Sequence, residues 1–306
     1  MKYKEWLITW LKLYVKPVVK ERTYDRYSQI CNKNVIPLLG GYSLCELSSV
    51  VLQQFVVDIG NGVNKQKRLS VSTINCIITV IQKSLKMAVI IGVVEKQYAD
   101  TIKRPKLTEK QIECFTFDEQ KAIENYILNS KKEKLFGIIL CFYTGLRIGE
   151  LLSLKWSDID FDKGLMYITK SCHDSFVDGA CVKVIETPKT PHSKRIVPLA
   201  KPILHRIKTL KKTSDCDYVV SENKKPVGNR SYQRTFELVL KKLGIQHKGF
   251  HAIRHTFATR AIECGMDVKT LSEVMGHKNP TITLSRYVHS LLEHKVNMMN
   301  KLGKLF

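Results

Sequence analysis

The chain is short of acidic residues. Its 306 residues include 28 Asp and Glu against 50 Lys and Arg, a formal net charge of +22. A surplus of that size argues against a basic partner and for a polyanion. Paired cysteines are lacking too. The nine present are odd in number and scattered, and none stands in C-x-x-C spacing, which excludes a disulfide framework and a zinc knuckle. Long apolar runs are missing. Met87 to Val94 falls far short of the roughly 20 residues of a membrane span, and the N-terminus carries no cleavable signal pattern. The expected location is therefore the cytoplasm, on the nucleoid in a bacterium, with no membrane partner. No G-x-x-x-x-G-K-[ST] loop is present and no carboxylate cluster suits a magnesium pair. Ala252 replaces the Glu of a zinc H-E-x-x-H between His251 and His255. Asp158, Asp160 and Asp162 imitate a calcium loop, but its glycine comes one place late and Thr169 stands where Glu is required. The expectation is no cofactor and no metal.

What is present falls into two parts. Residues 1–105 read as all-helical and net basic, with 16 Lys and Arg against 7 Asp and Glu. Tyr3, Trp6, Leu7, Trp10, Leu11 and Tyr14 form a helical stripe that Pro17 closes. Thr23 is read as the cap of a second helix ending before Pro37. A third spans about Ser48 to Ile59, stopped by Gly60-Asn61-Gly62, and a fourth runs from Ser70 or Ser72 to Ile91. Lys65, Lys67 and Arg68 precede it, either as a solvated loop or as contacts to the polyanion. Residues 106–115 read as a polar linker, and Thr116 with Glu119 as a capping box that opens a second domain, 116–306. That domain begins with helices, passes through a β section (Leu165–Thr169, Cys181–Thr187, Arg195–Pro198) and returns to helices. The fold class is mainly α with a small antiparallel sheet. Ser171–Ala180 reads as an inserted loop.

The second domain is organised around Gly249 to Ser290. His251 and Arg254 stand in H-x-x-R spacing on one helical face. A second helix, capped by Asp267, ends at Gly276-His277, and a third starts at Asn279-Pro280, with Tyr287 about two turns in. A tyrosine is most often packing. This ordered set suits chemistry instead. Arg and His donors can hold a phosphodiester while a phenol, whose ordinary pKa is near ~10, attacks it beside cationic neighbours.

"HAIRHTFATR", "MGHKNPTITLSRYVH" and, upstream, "YTGLRIGELLSLKWSDID" resemble the catalytic boxes of the tyrosine recombinases, the phage-integrase family, over essentially the whole region from Thr116 onward. Among its members the likeness is greatest to integrases of phages and integrative or conjugative elements. The resemblance implies an N-terminal helical DNA clamp (1–105) and a catalytic domain (116–306) whose amphipathic tail, 290–306, packs on the next subunit of a tetramer. It implies that Arg147 and Arg254 fork onto the non-bridging oxygens of one phosphate, with Glu150 fixing Arg147. His251 and His277 would be donors, and Tyr287 the nucleophile. The general acid would be Lys189, in "ETPKTPHSKRIVPL", with Lys183, Lys194 and Arg195 as rivals; Lys194 and Arg195 are also candidate DNA contacts. His255 and Thr256 would be framework. The implied reaction is strand cleavage through a 3′-phosphotyrosine and a free 5′-hydroxyl, then religation, serving integration and excision of a mobile element. Implied partners are double-stranded attachment sites, a homotetramer on DNA, and an excisionase or DNA-bending protein as accessory. Many such integrases carry an arm-site domain ahead of the clamp; Met1 opens almost directly on it here, which fits a shortened chain or a simpler architecture. Type IB topoisomerases share the site, and a non-catalytic DNA-binding module would share the fold but should lack one of the six site residues.

Overall fold

The computed structural model describes residues 1–62, 68–107, 113–177, 180–186, 194–222, 224–277 and positions 296, 299, 300, 302 and 303. The chain divides into two compact units, Met1–Lys110 and Gln111–Phe306. Of the sequence-derived candidates, Lys65, Lys67, Lys189, Tyr287, the helix starting at Asn279-Pro280 and most of the 290–306 tail lie outside the described residues.

The first unit comprises α1 (Tyr3–Trp10), α2 (Glu21–Ile30), α3 (Ile36–Leu39), α4 (Ser49–Asn61) and α5 (Val71–Ile90). Wider, π-type turns extend α1 through Val15 and α2 through Val35. The aromatic stripe of α1 is the heart of its core: Tyr3, Trp6, Leu7 and Trp10 are buried with Ile77, Ile78, Ile81 and Leu85 of α5. The phenol and indole polar atoms are answered locally, since Tyr3 Oη pairs with Ser84 Oγ at 2.8 Å and Trp6 Nε1 donates to Ser84 O at 3.0 Å. By length and composition α5 is apolar enough to cross a membrane. Its apolar side is core here. Ser48 and Ser70 cap α4 and α5, and Gly62 closes α4.

Two sequence-based boundaries move. The second helix starts at Glu21 after Lys20, so Thr23 lies inside it. Pro37 does not end it either, because the chain stays helical to Leu39 with the proline in the first turn of α3. The proline follows directly on the wider π-type turn, which Ile36 N–H closes onto Cys31 O, so it sits where the hydrogen-bond ladder is already shifted.

The second unit holds α6 (Phe117–Leu128), α7 (Phe136–Thr144), α8 (Ile148–Ser153), β1 (Ile159–Asp160), β2 (Leu165–Ile168), β3 (Ser171–Val177), β4 (Ala180–Glu186), β5 (Arg195–Pro198), α9 (Lys201–Thr213), β6 (Ser221–Glu222), β7 (Lys225–Pro226), α10 (Asn229–Lys242), α11 (His251–Glu263) and α12 (Val268–Met275). The expected capping box is present: Thr116 accepts from Glu119 N–H, and Glu119 accepts from Thr116 N–H. Nearly all of α7 is buried, making it the central helix. Phe115, at the end of the expected linker, is core, and its N–H is held by Thr256 Oγ1 at 2.8 Å.

Strand order in the three-stranded antiparallel sheet is β1-β2-β5, with Ile168 opposite Arg195. Between β2 and β5 the chain makes a second hairpin, β3 with β4. The expected loop at 171–180 is thus largely strand. Its polar start (Ser171, His173, Asp174) gave no strand signal, and tertiary contacts decide the matter. Asp174 caps α10, accepting from Asn229 N–H at 3.1 Å and Arg230 N–H at 3.0 Å. Asn229 Nδ2 donates to Cys172 O, and Lys183 Nζ donates to Leu152 O of α8 at 2.7 Å.

Candidate active site

The site is assembled at two helix ends. At the first, α7 stops at Gly145, whose φ of 64° is left-handed. A β-carbon there would lie 2.4 Å from Phe257 Cδ1, so only glycine fits this turn. Leu146 is buried and Arg147 becomes the residue preceding α8, in extended conformation. Glu150 follows one turn later. Its carboxylate accepts from Arg147 N–H at 2.9 Å and from Arg147 Nη1 at 2.8 Å, the pairing that i,i+3 spacing predicts.

At the second end, α12 closes in a Schellman turn. Gly276 has φ 63°, its N–H goes to Glu273 O at 3.0 Å and His277 N–H to Ser272 O at 3.0 Å. A glycine following an amphipathic helix therefore fixes the backbone that carries His277. Asp267 caps the other end of α12 through Thr270 N–H.

Arg254 joins the two ends. It sits on α11 with 1% of its surface exposed. Nη1 donates to Gly145 O at 2.5 Å and Nη2 to Met275 O at 2.5 Å. Arg147 Nη2 reaches the next carbonyl, Gly276 O, at 3.3 Å. Two guanidinium groups from distant segments thus grip neighbouring carbonyls. Arg147 is the more open, its side chain 38% exposed. His251 begins α11 on the exposed side, its ring edge-on to His255 at 4.7 Å between centroids. Arg147, Glu150 and Arg254 are therefore brought together at the turn that carries His277.

Sequence reasoning missed what Arg195 does. Expected to face DNA, it is buried instead, its side chain 5% exposed. Nη1 and Nη2 bind the two oxygens of Glu150 at 2.9 and 2.8 Å, and Nε donates to Val274 O at 2.6 Å. On β5, Arg195 shares its side of the strand with buried Val197 while Ile196 points outward, a facing that four residues of sequence do not reveal. Lys183, a rival for the general acid, holds Leu152 O and lies 5.1 Å from the Tyr218 ring centroid; burial lowers its amine from the usual lysine range. Lys194 is exposed, and Arg68 is exposed on a cleft shared with Lys103 and Arg104 in the first unit.

Around Glu150, the charged arginine contacts outweigh burial. Burial pushes its carboxyl up, but the hydrogen bond and charge of Arg195, then the charge and N–H of Arg147, bring it down from 4.5 to about 2. With the folded value below the unfolded one, its stabilisation is complete above about pH 4.5 and is lost as pH falls through the window down to about 2. The shift corresponds to roughly 3 kcal/mol. Urea unfolding of wild type and Glu150→Gln is expected to show a stability gap at neutral pH that closes across that window. A pH-independent gap would mean that the carboxylate's charge is not what stabilises. Among the described residues no cluster of three or more His, Cys, Asp or Glu is placed to hold a metal. Asp160 Oδ1 accepts from Asp162 and Lys163 N–H groups, and Asp158 pairs with Lys170 at 2.9 Å.

Residues 107–294 match the phage integrase family, and residues 2–59 match the phage integrase N-terminal SAM-like domain. A XerC-like tyrosine recombinase of Caldanaerobacter subterraneus subsp. tengcongensis is 34% identical over 219 residues, covering 65% of this chain and 56% of that protein. The ICEBs1 integrase of Bacillus subtilis is 27% identical, covering 78% of this chain and 67% of its own length. The transposase of Tn916 from Enterococcus faecalis is 31% identical, with coverages of 67% and 53%. The match thus spans little more than half of the first and third of these relatives. Among solved structures, the Tn1549 transposon integrase in complex with transposon right end DNA superposes with a TM-score of 0.81 at 21% identity, over 99% of this chain and 100% of that one. A lambda integrase dimer bound to a COC′ core site gives 0.71 at 19%, over 92% and 97%. At these identities the likeness is one of fold.

Proposed function

This chain belongs to the phage integrase family, and from that premise we propose that it is a site-specific DNA recombinase that integrates and excises a mobile element. The observation that carries the reading is the convergence of Arg147 and Arg254 on neighbouring carbonyls beside the His277 turn. Two arginine forks and an imidazole held on rigid helix ends are what a pentavalent phosphorane needs, because its extra negative charge is met by donors already in place. The excess of three guanidinium groups over the single Glu150 carboxylate leaves the site cationic.

In this mechanism the Tyr287 hydroxyl attacks a DNA phosphorus as its proton is lost. The bond to the 5′-oxygen breaks, and Lys189 supplies the proton to that leaving group. The products are a 3′-phosphotyrosine and a 5′-hydroxyl, and a 5′-hydroxyl from a second strand reverses the step. The ester conserves the energy of the broken bond, so neither nucleotide nor metal is consumed. Arg147 and Arg254 neutralise the phosphate, with His251 and His277 as further donors. The relatives' DNA complexes support double-stranded attachment sites as the substrate, and a lambda integrase tetramer bound to a Holliday junction supports a tetrameric assembly here. Lys65, Lys67, Arg68 and Lys194 are proposed backbone contacts, and an excisionase or a DNA-bending protein is the proposed accessory.

A covalent trap tests the reading. Protein is mixed with nicked duplexes from the ends of its own element, in EDTA without nucleotide. An SDS-stable adduct with a free 5′-hydroxyl, lost in Tyr287→Phe while DNA binding persists, is the expected result. Strand-transfer products separate a recombinase from a type IB topoisomerase. Tight binding with no adduct from the wild type would leave a DNA-binding module instead.

A further inference from the structure

The end of α12 leaves its carbonyls without intrahelical partners, as every helix does. Here each one is accounted for. The Schellman turn takes Ser272 O and Glu273 O. The next three are met by three different arginines: Val274 O by Arg195 Nε at 2.6 Å, Met275 O by Arg254 Nη2 at 2.5 Å, and Gly276 O by Arg147 Nη2 at 3.3 Å. The three come from β5, α11 and the start of α8. Positive charge belongs at this end of a helix dipole, and His277 is the residue that follows.

Two of these arginines are reactive groups in the proposed mechanism, but Arg195 differs. Almost wholly buried, it uses its remaining fork on both oxygens of Glu150, the same carboxylate that holds Arg147 Nη1 and the Arg147 N–H. Its side chain also lies flush against the turn, since a β-carbon on Gly276 would be 3.0 Å from Arg195 Cδ and 3.1 Å from Nη1. One planar group thus ties the segment that aims Arg147 to the turn that aims His277. Lysine cannot do the same: its compact ammonium lacks the fork needed to span a carboxylate and a carbonyl together.

We infer that Arg195 is a positioning residue, locking Arg147 and His277 into one frame through Glu150 and Val274 O without touching DNA. The inference rests on the recombinase reading. Transition-state stabilisation depends on donors placed to a fraction of an ångström, so loosening this frame slows cleavage while leaving DNA affinity in place.

The test is single-turnover cleavage of a nicked end duplex at saturating DNA, with binding measured separately at two salt concentrations. Arg195→Gln is expected to lower the cleavage rate constant on the order of 100-fold, and Arg195→Lys to recover only part of it. Affinity should change less than about twofold, with an unchanged salt slope. The deficit should persist on a 5′-bridging phosphorothiolate, whose leaving group needs no acid, whereas that of Lys189→Ala should vanish. If Arg195→Gln does not fold, Arg195→Lys, which keeps a cation beside Glu150, makes the same comparison.

A weakened affinity with a salt slope smaller by about one charge, or restoration by lysine, would make Arg195 a DNA contact and overturn the inference. A normal rate constant with a smaller adduct amplitude would make it purely structural and overturn it as well. Wild-type protein runs in parallel: no adduct from it removes the recombinase reading and this inference together, whereas a normal wild type beside an unaffected Arg195→Gln removes the inference alone.

Discussion

Arg254→Ala is expected to reduce strand cleavage by about 10³-fold or more and to destabilise the second unit by about 3–5 kcal/mol. The two effects have separate origins. The catalytic loss follows from removing half of the arginine pair assigned to the phosphate. The loss of stability follows from where the side chain lies: it is 1% exposed and spans Gly145 O and Met275 O. Truncation strands two carbonyls, at about 1–3 kcal/mol each if they stay dry, and opens a cavity. Arg254→Lys separates the effects, because it restores charge and some volume but not the two-armed reach. Urea unfolding and single-turnover cleavage on the same preparations measure both. A stability loss below about 1 kcal/mol would mean that the carbonyl bonds contribute little. Cleavage within about tenfold of wild type would remove Arg254 from the phosphate-binding role.

Gly145→Ala is the second large effect, and it acts on that anchor from the other side. The left-handed conformation costs a β-carbon about 1–2 kcal/mol. The new methyl would stand 2.4 Å from Phe257 Cδ1 and 2.8 Å from Cε1, an overlap that core rearrangement relieves at about 1–3 kcal/mol. The expected total is about 3 kcal/mol, seen as a lower urea midpoint with unchanged slope. Because the Gly145 carbonyl holds Arg254 Nη1, cleavage should fall as well. Adding Phe257→Leu should return the packing part and leave the conformational part. If the double variant is no more stable than Gly145→Ala, the ring is not the obstacle.

Much of the site was legible because it is written in short-range chemistry. Glu150 one turn from Arg147, the Thr116–Glu119 box, the Asp267 cap and the glycine ending α12 each depend on residues three to five apart, and each forms as spacing predicts. Pro37 and Thr23 were misread for a related reason. Local signals say that a helix is interrupted or started, but not whether a packed chain carries it past the signal.

Arg195 and β3 belong to another class. Arg195 meets Glu150 across 45 residues and Val274 across 79, and β3 is held by the N-terminus of α10, 55 and 56 residues later. The amino-acid sequence by itself determined the caps at Thr116 and Asp267, the glycine end of α12, the family and the cationic character of the chain, since those follow from neighbouring residues and from composition. Only the tertiary structure decided that a basic residue beside the expected general acid faces inward and clamps a helix end. A charge can go to solvent or to a buried partner, and the outcome depends on a carboxylate and a carbonyl that folding alone brings within 3 Å.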